Sequence, residues 1–204
     1  MMSQYQQYRL HTLVAILIMM FVLSACGQPT HEFTAKVLEG DLVAYNLTGT
    51  DVDGETFQLS DHKGKYVVIN FGYMFCPDIC PLTLAELASF YTQLDADKAS
   101  QVEVVFVSVD PERDTPEQLT LYMNAFHEDF HGLHIDTPEV LDLTKKAYSI
   151  YAEKRIVDGD EENYFVDHSG GFYVIDPEGQ FELFFSHDTK ADAIFADMNY
   201  LLGG

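Results

Sequence analysis

The chain has 204 residues, 47% of them hydrophobic, which suits one compact domain with a buried core plus an N-terminal extension. Lys and Arg total 11 against 33 Asp and Glu, a formal net charge of -22 that opposes binding to a polyphosphate backbone or an anionic lipid surface. Nucleic acid is therefore not an expected partner.

From the N-terminus, Arg9 precedes an apolar run from Leu13 to Leu23. A bilayer span needs about 20 such residues, so this shorter run suits the hydrophobic segment of an export signal. Leu23-Ser24-Ala25-Cys26 resembles the lipobox of bacterial lipoprotein signal peptides, which implies cleavage before Cys26 and a lipid on its sulfur. The expected organisation is a signal peptide over residues 1–25, a linker over 26–41 and a folded domain over 42–204. That domain would be anchored through Cys26 on the extracytoplasmic, periplasmic or extracellular, side of a membrane.

Asp53-Gly54 marks a turn between predicted strands at Leu42 to Leu47 and Thr56 to Leu59, an N-terminal β-hairpin. Tyr66 to Phe71 is rich in β-branched and aromatic residues and reads as a buried strand that Gly72 breaks. Cys76-Pro77-Asp78-Ile79-Cys80-Pro81 follows, and then Leu84, Leu87, Ala88, Tyr91 and Leu94 recur at helical spacing. The two cysteines thus fall on a strand-to-helix turn. With Cys26 lipidated they form the only pair left in an exported protein. A structural disulfide closing so small a loop would add little stability, because that contribution grows with loop length. Free N-H groups at a helix start favour the thiolate, which is both a nucleophile and a soft metal ligand. Three intervening residues still permit a disulfide and also let the sulfurs spread around one soft ion.

Val102 to Val109 reads as a central strand, and helices are predicted at Pro116 to Phe126, Pro138 to Ile150 and Lys190 to Leu202. Strands alternating with helices indicate an α/β domain covered on both faces. His127-Glu128-Asp129-Phe130-His131 fits the HExxH pattern of zinc proteases. Gly132 follows at once and His134 misses the longer pattern, so a histidine-rich helix end is the simpler reading. Asp158 to Glu162 is expected to be a solvated loop. His168 precedes a predicted hairpin, Phe172 to Ile175 and Phe181 to Phe185, turning at Asp176 to Gly179. Beside the cysteine-bearing strand, that hairpin would hold an imidazole over the thiolates. Asp167 is a candidate acceptor behind His168, against a plain surface role; Met74 is a candidate thioether donor, against a core role.

Three separated segments, Phe71 to Pro81, Val107 to Pro116 and Val166 to Ser169 with Asp176 to Gly179, together resemble the Sco (SenC) family. The resemblance implies a thioredoxin-like fold, membrane tethering and delivery of copper to the binuclear copper centre of cytochrome c oxidase, in some members with thiol-disulfide activity. Matched position by position, the ligands of one copper ion, Cu(I) or Cu(II), would be Cys76, Cys80 and His168. Expected partners are the copper-site subunit of the oxidase, a copper donor protein and a thiol reductant. Two neighbours depart from the pattern: Met74-Phe75 stand where many members carry a polar residue or histidine, and Gly170 where many carry a second hydroxyl residue. Thiolates and one imidazole suit copper on general grounds, whereas structural zinc would need a fourth protein ligand. The alternative from the same residues is an exported thiol-disulfide oxidoreductase with Cys76 and Cys80 as its redox-active pair.

Overall fold

The computed structural model describes residues 31–51 and 54–204. The export-signal run and Cys26 therefore lie outside the described residues, as does Asp53 of the first predicted turn. Among the described residues no helix is long and apolar enough to cross a membrane.

The centre of the molecule is made by two strands whose sequences are nearly continuous β-branched and aromatic residues. β4 (Tyr66–Gly72) and β5 (Val102–Ser108) run parallel in full register, Tyr66 opposite Val102 through Gly72 opposite Ser108. Val68, Ile69 and Val104 to Val107 are fully buried, as parallel strands covered on both faces must be. α1 (Ile79–Tyr91) makes the crossover between them, helped by the single turn α2 (Ala96–Ala99). β6 (His131–Leu133) adds a further parallel strand after α3 (Pro116–Asn124). α3 starts on a full capping box between Thr115 and Gln118, with Pro116 in its first turn.

The other half of the sheet is antiparallel. β9 (Phe172–Ile175) pairs with β4, β10 (Phe181–Phe185) with β9, and the two-residue β1 (Lys36–Val37) with β10, giving the order β1-β10-β9-β4-β5-β6. β1 falls within the stretch read as linker. α4 (Pro138–Ala147) and α5 (Ala191–Leu201) complete the helices, and α5 packs against α1. The parallel unit joined to an antiparallel hairpin is the α/β, thioredoxin-like arrangement expected.

Three local expectations need correction. The N-terminal hairpin is built by β2 (Thr48–Thr50) and β3 (Thr56–Gln58), not by Leu42 to Leu47, which contributes only an isolated bridge from Val43 to Gln180. The helix at Pro116 ends at Asn124, so His127 sits in a turn and His131 opens β6. The HExxH histidines therefore share no helical face. Finally, Asp158 to Glu162 is no loop: Asp158 and Gly159, with φ of 54° and 75°, form a tight turn between β7 (Ala152–Val157) and β8 (Asp160–His168). Positive φ at both central residues matches the right-handed strand twist, the usual reason for Asp-Gly in a hairpin. β7 and β8 form a separate two-stranded sheet, and His168 is the last residue of β8.

Candidate metal centre

Cys80 lies in the first turn of α1, and Cys76 in the loop that leads from β4 into it, its N-H donating to the Tyr73 carbonyl at 3.2 Å. Both are free thiols and buried, at 8% and 2% exposure for Cys76 and Cys80. Gly72 is what lets α1 come so close. A Cβ there would stand 2.6 Å from Cys80 Sγ and 2.6 Å from Phe106 Cε2, so any side chain would displace the sulfur or the ring. The entry loop is tied down by Asp114, whose Oδ2 accepts from Met74 N-H at 3.1 Å and from Ser108 Oγ at 2.7 Å. Burial pushes the Asp114 carboxyl up to about 6 despite these donors.

β8 delivers the third group. His168 Nε2 stands 3.2 Å from Cys80 Sγ, and donor atoms of Cys76, Cys80 and His168 all lie within 4.8 Å of one another. Burial holds His168 below the usual histidine range, which favours the neutral ring. A bond to the Val166 backbone works the other way, as an N-H donated to a carbonyl does; with Nε2 facing sulfur, that donor is Nδ1, and the Nε2 lone pair points into the site. Asp167, the acceptor weighed for this role, points away and pairs with Arg155 Nε at 3.0 Å. Tyr73 lies edge-on to His168, with ring centroids 5.5 Å apart. Met74 packs against the hydrophobic core.

The two sulfurs are not equivalent. A hydrogen bond from the Cys80 thiol, opposed by burial and reinforced by the N-H groups of Cys80 and Asp78, lowers Cys76 to about 5. Donating that bond, together with deep burial, pushes Cys80 up. At neutral pH the pair therefore holds one proton, with thiolate character on Cys76, which lines an open cleft of about 390 Å³ with Tyr73, Phe165 and His168. Two polarizable sulfurs and a neutral imidazole converging on one point fit a soft cation and offer a proton-bearing site only one proton to displace.

A clamp that residue-by-residue reading had not assigned holds the pieces in place. Arg113 donates from Nε to Asp110 Oδ2 at 2.6 Å and from Nη1 to the Tyr164 carbonyl at 2.9 Å, while Tyr164 Oη donates to Asp110 Oδ1 at 2.9 Å. Its guanidinium carbon lies 3.6 Å from the Tyr164 ring centre and 4.9 Å from that of Phe75. One side chain thus joins the loop after β5, the residue before Cys76, and β8 four residues before His168. The run Asp110 to Asp114 was visible in the sequence, but nothing in it says which strand it grips.

The HExxH residues do something else. His131 donates from Nδ1 to Asp51 at 2.5 Å and from Nε2 to Glu103 at 3.0 Å, and His127 packs on Tyr91. Burial opposes charge on His131, but the two carboxylates prevail and raise it to about 9. With both ring nitrogens donating, it is an ion-pair bridge rather than a metal ligand.

The SCO1/SenC family model matches residues 37–203. Over 137 residues the chain is 39% identical to mitochondrial protein SCO2 of Saccharomyces cerevisiae, a match that covers 67% of this chain and 44% of the yeast protein. The chain thus spans less than half the length of that relative. The solution structure of apo Sco1 from Thermus thermophilus superimposes with a TM-score of 0.75 at 34% identity, covering 85% of this chain and 99% of that one. ScoI of Bradyrhizobium japonicum, solved with copper bound, gives 0.69 at 33% identity and covers 78% and 98%.

Proposed function

Because the chain belongs to the SCO1/SenC family, we propose that it carries one copper ion on Cys76, Cys80 and His168 and delivers it to the copper-site subunit of cytochrome c oxidase. The observation that carries this is the convergence of the His168 ring, from a separate hairpin, on the two sulfurs within 4.8 Å. A cysteine pair working only as a disulfide shuttle has no need of a half-buried neutral imidazole aimed at it. The copper-bound relative supports the choice of cargo.

Capture begins at Cys76, the sulfur whose pKa the bond from Cys80 lowers and that lines the open cleft. Cys80 then gives up its proton, and His168 closes from the hairpin side with its lone pair. Release is ligand exchange: thiolates of an acceptor replace these donors one at a time, so the ion is never free. Oxidation of the pair to a disulfide, with two electrons and the pair's one proton passing to a disulfide acceptor that leaves as one thiol and one thiolate, would remove both sulfurs as ligands, and a thiol reductant would restore them. The same chemistry supports the oxidoreductase reading, which the depressed pKa of Cys76 favours as a nucleophile. The extracytoplasmic, Cys26-anchored location is part of the proposal and rests on the export-signal run and lipobox alone.

The deciding measurement is copper stoichiometry and affinity of the reduced protein. Wild type should bind one ion tightly, His168→Ala should weaken binding by about 100-fold or more, and Cys76→Ser or Cys80→Ser should abolish it. Unchanged affinity in His168→Ala, with rapid disulfide reduction, would replace delivery by the oxidoreductase reading.

A further inference from the structure

Asn70 interrupts the apolar run of β4, Val67-Val68-Ile69-Asn70-Phe71, and is only 3% exposed. Asparagine is poorly suited to strands and its amide is costly to bury, so its presence there calls for a reason. The side chain makes one hydrogen bond, from Nδ2 to the Gly171 carbonyl at 3.0 Å. Its Oδ1 is buried without a partner. Half of the amide is thus left unsatisfied, which makes stability alone a poor account of it. The satisfied half points at the segment that carries His168. Gly171 lies just beyond His168, where the chain enters β9 and Phe172 pairs with Asn70. At Gly171 φ is 111°, and a Cβ there would stand 2.5 Å from the Phe185 carbonyl and 2.6 Å from Phe184 Cζ, so glycine is needed for the chain to pass β10. With Gly170 before it, the link has wide backbone freedom at the place where the imidazole has to be held. Ser169 is bonded to Tyr151 in both directions, N-H to carbonyl and Oγ to N-H at 2.9 Å each, but this ties the segment only to the start of its own hairpin. Asn70, Cys80, His168 and Gly170 line a common space too small for a water molecule. Water therefore cannot stand in for the Asn70 donor.

From this arrangement we infer that Asn70 is the positioning residue for His168: its amide fastens the Gly170-Gly171 link to β4, the strand that leads into Cys76, and so sets the imidazole against the sulfurs. The consequence for copper rests on the reading of Cys76, Cys80 and His168 as its ligands. One side chain thereby places the third donor in the frame that carries the other two. Without that bond the glycine link samples more conformations, and the ion has to order the ring as it binds. The sulfurs keep their places, held by α1 and by the Asp114 bond to Met74. Loss of the Nδ2 donor should therefore weaken copper binding about tenfold, less than loss of the imidazole itself.

The test uses the full chain in detergent, reduced, with wild type, Asn70→Leu, His168→Ala and the double variant compared. In the metal-free protein, histidine-selective nuclear magnetic resonance should give one set of ring signals for His168 in wild type, assigned by their absence from His168→Ala. In Asn70→Leu these signals should broaden or double while those of His131 stay unchanged. In chelator competition for Cu(I), Asn70→Leu should lose about tenfold in affinity in the wild-type background and less than about twofold in the His168→Ala background, because a residue that acts through the imidazole has nothing to position once the imidazole is gone. Equal losses in the two backgrounds would overturn the inference in favour of a general effect on the fold. Unchanged affinity in Asn70→Leu, or a single, unshifted set of His168 signals, would overturn it as well. Should Asn70→Leu fail to fold, Asn70→Ser goes through the same comparison and is judged by the same coupling. If His168→Ala binds copper like wild type, it is the three-ligand reading that has failed, and the metal-free ring signals still decide whether Asn70 holds His168.

Discussion

At the scale of single residues, the site depends on one missing methyl group. Gly72 ends β4 in direct contact with Cys80 Sγ and the Phe106 ring, and neither neighbour has room to withdraw, because Phe106 is fully buried between sheet and helix. Gly72→Ala is expected to cost about 1–3 kcal/mol of stability from overpacking. It should also push the Cys80 sulfur away from His168, so copper affinity should fall in the fraction that still folds; denaturant midpoint and chelator competition measure the two effects separately. Cys76 and Cys80 stood out in the sequence by their spacing on a strand-to-helix turn, while His168, one of eight histidines, was singled out by the predicted hairpin that follows it and by the family resemblance. Gly72 was readable only as a strand breaker. Its function as a spacer depends on which helix atom comes to rest against it, and that is a property of the packing.

At the scale of elements, the molecule joins a rigid sheet to a loosely integrated hairpin. β4 and β5 are buried along most of their length, whereas most side chains of β7 and β8 are exposed, and those strands pair only with each other. What fastens the hairpin near the site is the group of Arg113, Asp110 and Tyr164. Arg113→Ala would leave Asp110, 1% exposed, without its ion-pair partner, an omission that costs about 3 kcal/mol in buried settings. Hydrogen exchange should accelerate in residues 152–168 while β4 and β5 stay protected, and Arg113→Lys, which keeps the charge but not the fork, should restore only part of the protection. Equal acceleration in β4 would show that the clamp stabilises the whole fold rather than the hairpin. The same exposure explains why the hairpin was illegible in the sequence: with water on nearly every side, the charged strands show no apolar alternation, and the Asp158-Gly159 turn reads as part of an acidic loop. The central strands and the helices were legible because burial forces their apolar periodicity.

At the scale of the whole molecule, the second half of the HExxH pattern turns out to be a tie between distant segments. His131 on β6 links Asp51, just after β2, to Glu103 on β5, where Lys65 and His62 also gather. Raised to about 9 from an ordinary 6.5, His131 contributes stability that is complete below about pH 6.5 and is lost as pH rises through about 9. Glu103, lowered to about 2 from 4.5 because His131 and Lys65 outweigh its burial, contributes stability that is complete above about pH 4.5 and is lost as pH falls through about 2. Denaturant unfolding should therefore show His131→Gln costing on the order of 2 kcal/mol near pH 6 and much less near pH 9.5. A cost independent of pH would mean that the side chain matters for packing and not for charge. No linear pattern could have announced this bridge, since its members are separated by 80 and 28 positions in the chain.

The separate sheet formed by β7 and β8 has a last consequence. The sulfurs stand buried at the start of the crossover helix beside the central sheet, whereas the imidazole stands at the end of a hairpin whose strands pair only with each other. On the copper reading proposed above, movement of that hairpin alone would withdraw the imidazole and leave both sulfurs in place, so an acceptor bringing thiolates of its own could take the ion without unfolding of the chain.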